Sequence, residues 1–190
     1  MEKMTARKQE IITVASKLFE EKGYSAVSMR DIAREMGIKA ASLYNHIKSK
    51  QDILTCIIIS LAEEFTQGME TIKNLEVNSI QKIKEIVTLH VDISSQNSSG
   101  MASLNNDWMH LENELENYLN LRLDYEDSFR NIIKEGINKK EIINANLEVI
   151  LFSMLSTLRS LYLWIHLQNN LTPQELSANL SKVLLQGINK

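Results

Sequence analysis

The chain is expected to be all-α, and three observations lead there. Proline occurs once and glycine six times in 190 residues, so long stretches run without a helix breaker. Apolar residues recur at helical spacing almost throughout. Helix-start signatures stand where those apolar rows begin: Ser28 with Asp31, Ser49 with Asp52, and Thr172-Pro173-Gln174-Glu175. A hydrophobic fraction of 44% with little low-complexity sequence fits a folded, soluble protein. The length accommodates one compact domain, or a small domain fused to a larger one.

The first helix is expected from about Thr5 to Lys22, with Ile11, Ile12, Ala15, Leu18 and Phe19 on one side and Gly23 as its left-handed stop. Ser28 opens the second and Gly37 ends it. The third takes Lys39 to His46. A long fourth helix, Lys50 to Lys73, carries Ile53, Ile57, Leu61 and Phe65 one turn apart. The fifth, Ser79 to Gln96, aligns Ile80, Ile83, Val87 and His90. Ser94 to Gly100 is polar and holds a glycine, which predicts a break. A short helix with Met101, Leu104 and Trp108 follows, then a long one from Trp108 to Asn138 with Leu111, Leu115, Tyr118, Arg122, Tyr125, Phe129 and Ile132 in a row. An eighth helix runs from Ala145 to Gln168. Pro173 at a first helical position opens the last, with Leu176, Leu180, Val183 and Leu184 on its apolar face.

The most informative stretch is Ser28 to Leu54. Ser28-Met29-Arg30-Asp31-Ile32-Ala33, then Met36-Gly37-Ile38, then Ala41-Ser42-Leu43-Tyr44-Asn45-His46-Ile47-Lys48-Ser49-Lys50 give a short helix, a glycine turn, a second short helix and the start of a third. That is a helix-turn-helix layout, whose second short helix can enter a DNA major groove. The charge distribution agrees. Residues 1–50 hold ten Lys/Arg against six Asp/Glu (+4), and residues 51–190 hold eleven against eighteen (−7). The basic excess therefore coincides with the helix-turn-helix, as phosphate binding requires.

The ordered set Gly23-Tyr24, Ser-x-Arg-Asp-Ile-Ala at 28–33, Gly37, Leu43-Tyr44-x-His46 and Ser49-Lys50-x-Asp52-Ile53-Leu54 resembles the DNA-binding domain of TetR-type transcriptional regulators. The resemblance covers about residues 7 to 54. It implies an N-terminal three-helix domain (1–48) joined by the long fourth helix to a C-terminal helical ligand-binding and dimerisation domain (49–190), about nine helices in all. It also implies a homodimer that sets two recognition helices in successive major grooves of a palindromic double-stranded operator. Lys39, Ala40, Ala41, Ser42 and Asn45 then face bases and phosphates, and Tyr44 and His46 contact the DNA backbone. Lys48 and Lys50 flank a helix start that favours phosphate, with Ser28 and Arg30 on the other side of the groove. Tyr44 has an alternative role in packing, whereas Leu43, Ile32, Ala33 and Ile47 read as core. Two positions depart from the family: Ile47 where Phe is usual, and Lys39 where a small capping residue is common.

The eighth helix is apolar nearly all round, which predicts burial on every side in protein. Ser153, Ser156, Thr157, Arg159, Ser160 and His166 interrupt it and argue against a membrane span. Ser153, Ser156, Thr157 and Ser160 share one face, followed by Trp164, and small side chains let another helix approach closely. With Leu176, Leu180, Val183 and Leu184 they form the expected dimer interface. The run from Met154 through Trp164 and Leu171–Leu176 to Gly187 is also similar to regulators of fatty-acid or sterol catabolism that bind acyl-CoA thioesters, which implies a small hydrophobic effector. Met101, Leu104, Trp108, Met109, Leu111, Phe152, Leu155 and Tyr162 are candidate lining residues. His90, Arg122 and Arg159 are either its polar handles or interior residues with local partners.

Other classes fit less well. His46, His90, His110 and His166 have no partner at metal-ligand spacing, and no phosphate loop, nucleophile elbow or dinucleotide fingerprint occurs. Neither catalysis nor a cofactor is expected. A helical adaptor that binds protein and has lost DNA binding has no physical need for Tyr44, His46, Lys48 and Lys50 together. Met1 to Lys8 shows no signal-peptide pattern. The single cysteine, Cys56, suits a reducing cytoplasm and reads as a small core residue.

Overall fold

A computed structural model describes residues 5–165, 167 and 170–186, and every regular element among them is helical. In order these are α1 (Ala6–Lys22), α2 (Met29–Glu35), α3 (Ala40–Leu43), α4 (Lys50–Lys73), α5 (Ser79–Gln96), α6 (Ser98–Asn106), α7 (Leu115–Asn138), α8 (Leu147–Arg159), α9 (Leu161–Ile165) and α10 (Pro173–Gln186). Short 3-10 turns occupy Tyr24–Ala26, Trp108–His110 and Glu112–Glu114.

The local chemistry sets many of these boundaries. Thr5 caps α1 by accepting from the Lys8 N–H. Ser28 and Asp31 cap each other's backbone at the start of α2. Gly37, at φ 65°, makes the turn into α3 that a residue with a side chain resists. Thr172 and Glu175 form the corresponding box before α10, with the Thr172 N–H donating to the Glu175 carboxylate at 2.9 Å.

The chain divides into two compact units. The first comprises residues 1–62 and 99–118, the second residues 63–98 and 119–190. In the first, Ile11, Ala15, Phe19, Ile32, Leu43, Ile47, Ile53, Leu54 and Ile58 are almost wholly buried, which accounts for the three-helix arrangement around α1. In the second, α5 packs against α8, α9 and α10, and Ile83, Ile86, Val87, Val91, Phe129, Ile133 and Leu158 fill the core. Gly68 allows α4 to approach α5 closely: a β-carbon there would sit 2.6 Å from Leu89. Fully burying each large aliphatic or aromatic side chain contributes about 1.5–3 kcal/mol.

Four expectations are corrected. The third helix is shorter than Lys39 to His46: α3 ends at Leu43, and the His46 N–H closes a turn on the Leu43 carbonyl. The break expected over Ser94 to Gly100 shrinks to Asn97, at φ −146° and ψ 60°. The helix expected from Trp108 begins only at Leu115, because Glu112 takes the left-handed conformation at φ 47° and splits the preceding stretch into two 3-10 turns. The eighth helix ends at Arg159, with α9 following Ser160.

Hydroxyl back-bonding explains the break at Ser160. The Ser153, Thr157 and Ser160 hydroxyls donate to the Ile150, Ser153 and Ser156 carbonyls. Such bonds compete with the backbone ladder and bend helices. Burial on every side is also not found within one chain, since Val149, Phe152 and Leu163 are exposed. His166, Gln168 and Gly187 lie outside the described residues.

Candidate functional site

The helix-turn-helix is built so that one side of residues 39–48 is anchored and the other is free. Leu43 and Ile47 are buried at 0% and 2% exposure, whereas Tyr44 is 56% exposed. Lys39, Ala41, Asn45, His46 and Lys48 are exposed with it, and Ala40 and Ser42 are half-buried. Lys39 has no side-chain cap bond, so its ammonium is not used to start α3. Arg30 is exposed on α2, while the Ser28 hydroxyl is engaged by Asp31. That bond and the Ser28 N–H hold the Asp31 carboxyl below its ordinary range.

Lys50 lies differently from the phosphate contact expected of it. Its ammonium turns inward, donating to the Tyr24 and Val27 carbonyls at 2.8 Å each and sitting 4.2 Å above the Tyr24 ring. Burial pushes its pKa down. Two charge-assisted bonds to carbonyls at the α1–α2 connection make it a tie within the three-helix domain. The primary sequence carries no sign of this, because both acceptors are backbone atoms more than twenty residues away.

Of the expected effector residues, Met101, Leu104, Trp108, Met109 and Leu111 fall in the first unit and His90, Arg122, Phe152, Leu155, Arg159 and Tyr162 in the second. Met101, Leu111, Leu155 and Tyr162 are buried, Leu104 and Trp108 half-buried, Met109 exposed, and Phe152 72% exposed. His90 is buried, with Nε2 sharing a 2.8 Å hydrogen bond with the Tyr125 hydroxyl and its ring 4.6 Å from that of Phe65. Burial, helped by the Arg159 charge, lowers its pKa to about 3, so the imidazole is neutral. Burial raises the Tyr125 phenol.

Arg159 and Arg122 converge on one Glu126 oxygen, at 2.5 Å and 3.0 Å. Burial alone would raise the Glu126 carboxyl, yet the two guanidinium groups hold it below its ordinary range. The shared partner of the two arginines, Glu126, carries one signal in the sequence: it stands four residues after Arg122, the spacing of a helical ion pair.

The expected dimer residues come together in the second unit. Thr157, Ser160, Trp164, Leu176, Leu180 and Val183 line an open, largely apolar groove of about 450 Å³. Val183 is 51% exposed and Trp164 41%. Ser153 and Ser156 are exposed on α8, Leu184 is half-buried on α10, and Leu176 is buried.

A compact three-helix domain that presents an exposed basic, amide- and hydroxyl-bearing segment next to a glycine turn defines a helix-turn-helix DNA-binding regulator. The chain belongs to the TetR family of bacterial regulatory proteins. A model for "Bacterial regulatory proteins, tetR family" matches residues 11–56, and one for "Tetracyclin repressor-like, C-terminal domain" matches residues 76–188. Members of this family regulate transcription and are not enzymes.

Among its relatives, the HTH-type transcriptional repressor KstR2 of Rhodococcus jostii (strain RHA1) is 26% identical over 135 residues, 70% of this chain and 66% of that protein. An HTH-type transcriptional regulator of Staphylococcus aureus (strain USA300) is 37% identical over 67 residues, 35% of this chain and 36% of that protein. The chain thus aligns with less than two thirds of the length of either. The ketosteroid transcriptional regulator KstR2 of Mycobacterium tuberculosis shares the fold at a TM-score of 0.89 and 17% identity, covering 98% of this chain and 96% of that one. No helix among the described residues is long and apolar enough to cross a membrane.

Proposed function

We propose that the protein is a homodimeric repressor that binds a palindromic operator and is released from it by a hydrophobic small molecule of the acyl-CoA thioester class. The observation that carries the DNA-binding part is the division of residues 39–48 into a buried side, Leu43 and Ile47, and an exposed side with Lys39, Ala41, Tyr44, Asn45, His46 and Lys48. Asn45 reads a base edge; Lys39, Lys48, Tyr44 and His46 hold phosphates, and Arg30 supports them from α2. Two such segments in a dimer read half-sites roughly 34–36 Å apart.

A hydrophobic effector is supported by the apolar, buried Leu155 and Tyr162 of the second unit, and the thioester class by the resemblance of residues 154–187 to regulators that bind acyl-CoA thioesters. The effector acts by binding one of two states better, since equal affinity for both shifts nothing. Displacing α4 alters the spacing of the two recognition segments, and the half-sites no longer fit together. The α8–α10 groove serves the dimer contact. Fluorescence anisotropy on a selected palindromic duplex, with and without medium- and long-chain acyl-CoAs, tests this. Release at micromolar thioester with free CoA inert is the expected result. Duplex binding that no acyl-CoA disturbs removes the effector class, and salt-insensitive or absent duplex binding removes the DNA-binding function.

A further inference from the structure

Within the second unit α5 and α10 pack against each other. Beside their contact lies an open groove of about 600 Å³, a size that takes a small molecule. It shares no lining residue with the α8–α10 groove. On α5 its residues Gln81, Lys84, Thr88 and Asp92 lie across the helix from Ile83, Ile86 and His90, which are buried in the core.

Hydroxyl groups form the floor. The Thr88 hydroxyl donates to the Lys84 carbonyl at 3.1 Å, so the proton in its 2.7 Å bond with Ser177 comes from Ser177. Both protons of that pair are thereby in use. Ser181, one turn further along α10, differs. It is 6% exposed and lines the groove, and its hydroxyl has no hydrogen-bond partner among the described residues. A buried hydroxyl at the wall of a cleft, with its proton free, calls for an acceptor.

The charges divide in the same way. Glu85 accepts from the Gln81 amide at 2.7 Å. Lys84 and Lys182 stand exposed at the rim, and their ammonium groups have no carboxylate within ion-pair distance among the described residues. Asp92, half-buried, has no partner there either. Two cations and one hydroxyl are therefore the free donors of the groove, and Asp92 is its free acceptor.

We propose that this groove binds a small phosphate monoester that also carries hydroxyl groups, its phosphate on Lys84, Ser181 and Lys182 and its hydroxyls on Asp92. A phosphate dianion offers three terminal oxygens, one for each donor, and lysines hold it as point charges. Asp92 stands eight residues from Lys84, about 12 Å along the helix, which sets the length of the ligand. The hydroxyl floor decides between a free metabolite and a surface. Ser177 and Ser181 are only 7% and 6% exposed, so a membrane or protein surface touches the lysines without reaching them. The inference goes beyond the operator and effector reading and does not depend on it.

The test is an amide-shift titration of the full, isotope-labelled chain at fixed ionic strength, with glucose 6-phosphate as probe. Glucose and potassium chloride serve as controls. Glucose 6-phosphate should move the amides of residues 81–92 and 177–182 and saturate at millimolar concentration or below, with both controls inert. Inorganic phosphate, which lacks the hydroxyls, should bind at least about three-fold more weakly. Lys84→Gln with Lys182→Gln should weaken the ester by about ten-fold or more, the usual worth of a charge-assisted contact. Both lysines are exposed, and unchanged shifts elsewhere verify the fold of that variant. Ser181→Ala should weaken it by about three-fold without altering the unliganded spectrum beyond α5 and α10. The proposal is overturned by shifts that do not saturate, by equal shifts with glucose or chloride, by saturation at other residues, or by unaltered affinity in the double lysine variant. Equal affinity for inorganic phosphate overturns the ester.

Discussion

His90 makes stability depend on pH in a window where few other groups act. The folded state holds the imidazole neutral down to about pH 3, whereas the unfolded chain takes up a proton below its ordinary 6.5. Between those values the unfolded state binds one more proton, so stability falls as pH falls, by about 1.4 kcal/mol per unit. From pH 7 to pH 5 only the part below 6.5 counts, which gives about 2 kcal/mol, or roughly 4–8 °C in Tm for a chain of this size.

The physical source is a ring buried against Phe65 and bonded to Tyr125, with the Arg159 guanidinium further disfavouring a second positive charge. Urea unfolding at pH 7 and pH 5, at one fixed protein concentration because association adds to apparent stability, measures the drop. His90→Gln lowers stability at both pH values but lacks this increment, so the wild-type drop exceeds that of the variant by about 2 kcal/mol. An equal drop in the two proteins would refute the buried neutral histidine.

Three further outcomes are expected. Lys50→Met lowers stability by on the order of 2 kcal/mol by leaving the Tyr24 and Val27 carbonyls without their charged donor, and leaves the salt slope of duplex binding unchanged; Lys48→Ala reduces that slope by about 0.9 for each phosphate it no longer neutralises and barely moves Tm. The reverse pattern, read by anisotropy titrations over a salt series, would restore Lys50 to the DNA. Asn78→Ala removes the side-chain acceptor that caps α5 at the Gln81 N–H, costing about 1 kcal/mol and roughly 2–4 °C by calorimetry. Val183→Asp sets a charge on the exposed wall of the α8–α10 groove; sedimentation at micromolar concentration should show monomers with unchanged helical circular dichroism, and an intact dimer would place the interface elsewhere.

Much of the fold was legible because its signals are local. The start of α4 follows from Ser49 with Asp52 and its length from an apolar row that continues past Gly68, the limits of α5 follow from an apolar row without glycine or proline, and the α10 start follows from its capping box. What was not legible depends on tertiary partners or on backbone angles without a sequence signature. Glu112 is not a residue type that announces a left-handed turn, yet it divides the expected long helix. The inward turn of Lys50 is set by two carbonyls that only the folded domain brings near. In the candidate site, helical periodicity separates Leu43 and Ile47 from Tyr44, Asn45 and His46. It does not reveal that residues 99–118 cluster with the N-terminal helices, because packing across such separations leaves no periodic trace.

The hydroxyls along the outer face of α8 have a consequence for what this surface will tolerate. Ser153, Thr157 and Ser160 already spend their protons on carbonyls of their own helix. Toward a neighbour they act as spacers of a given bulk rather than as groups in need of a partner. Size is therefore the restricted quantity there. Alanine should be accepted at Ser153 and Ser160 with little change in association, whereas leucine at either should hold the approaching helix away. A surface that looks polar in composition would then be selected by its contour.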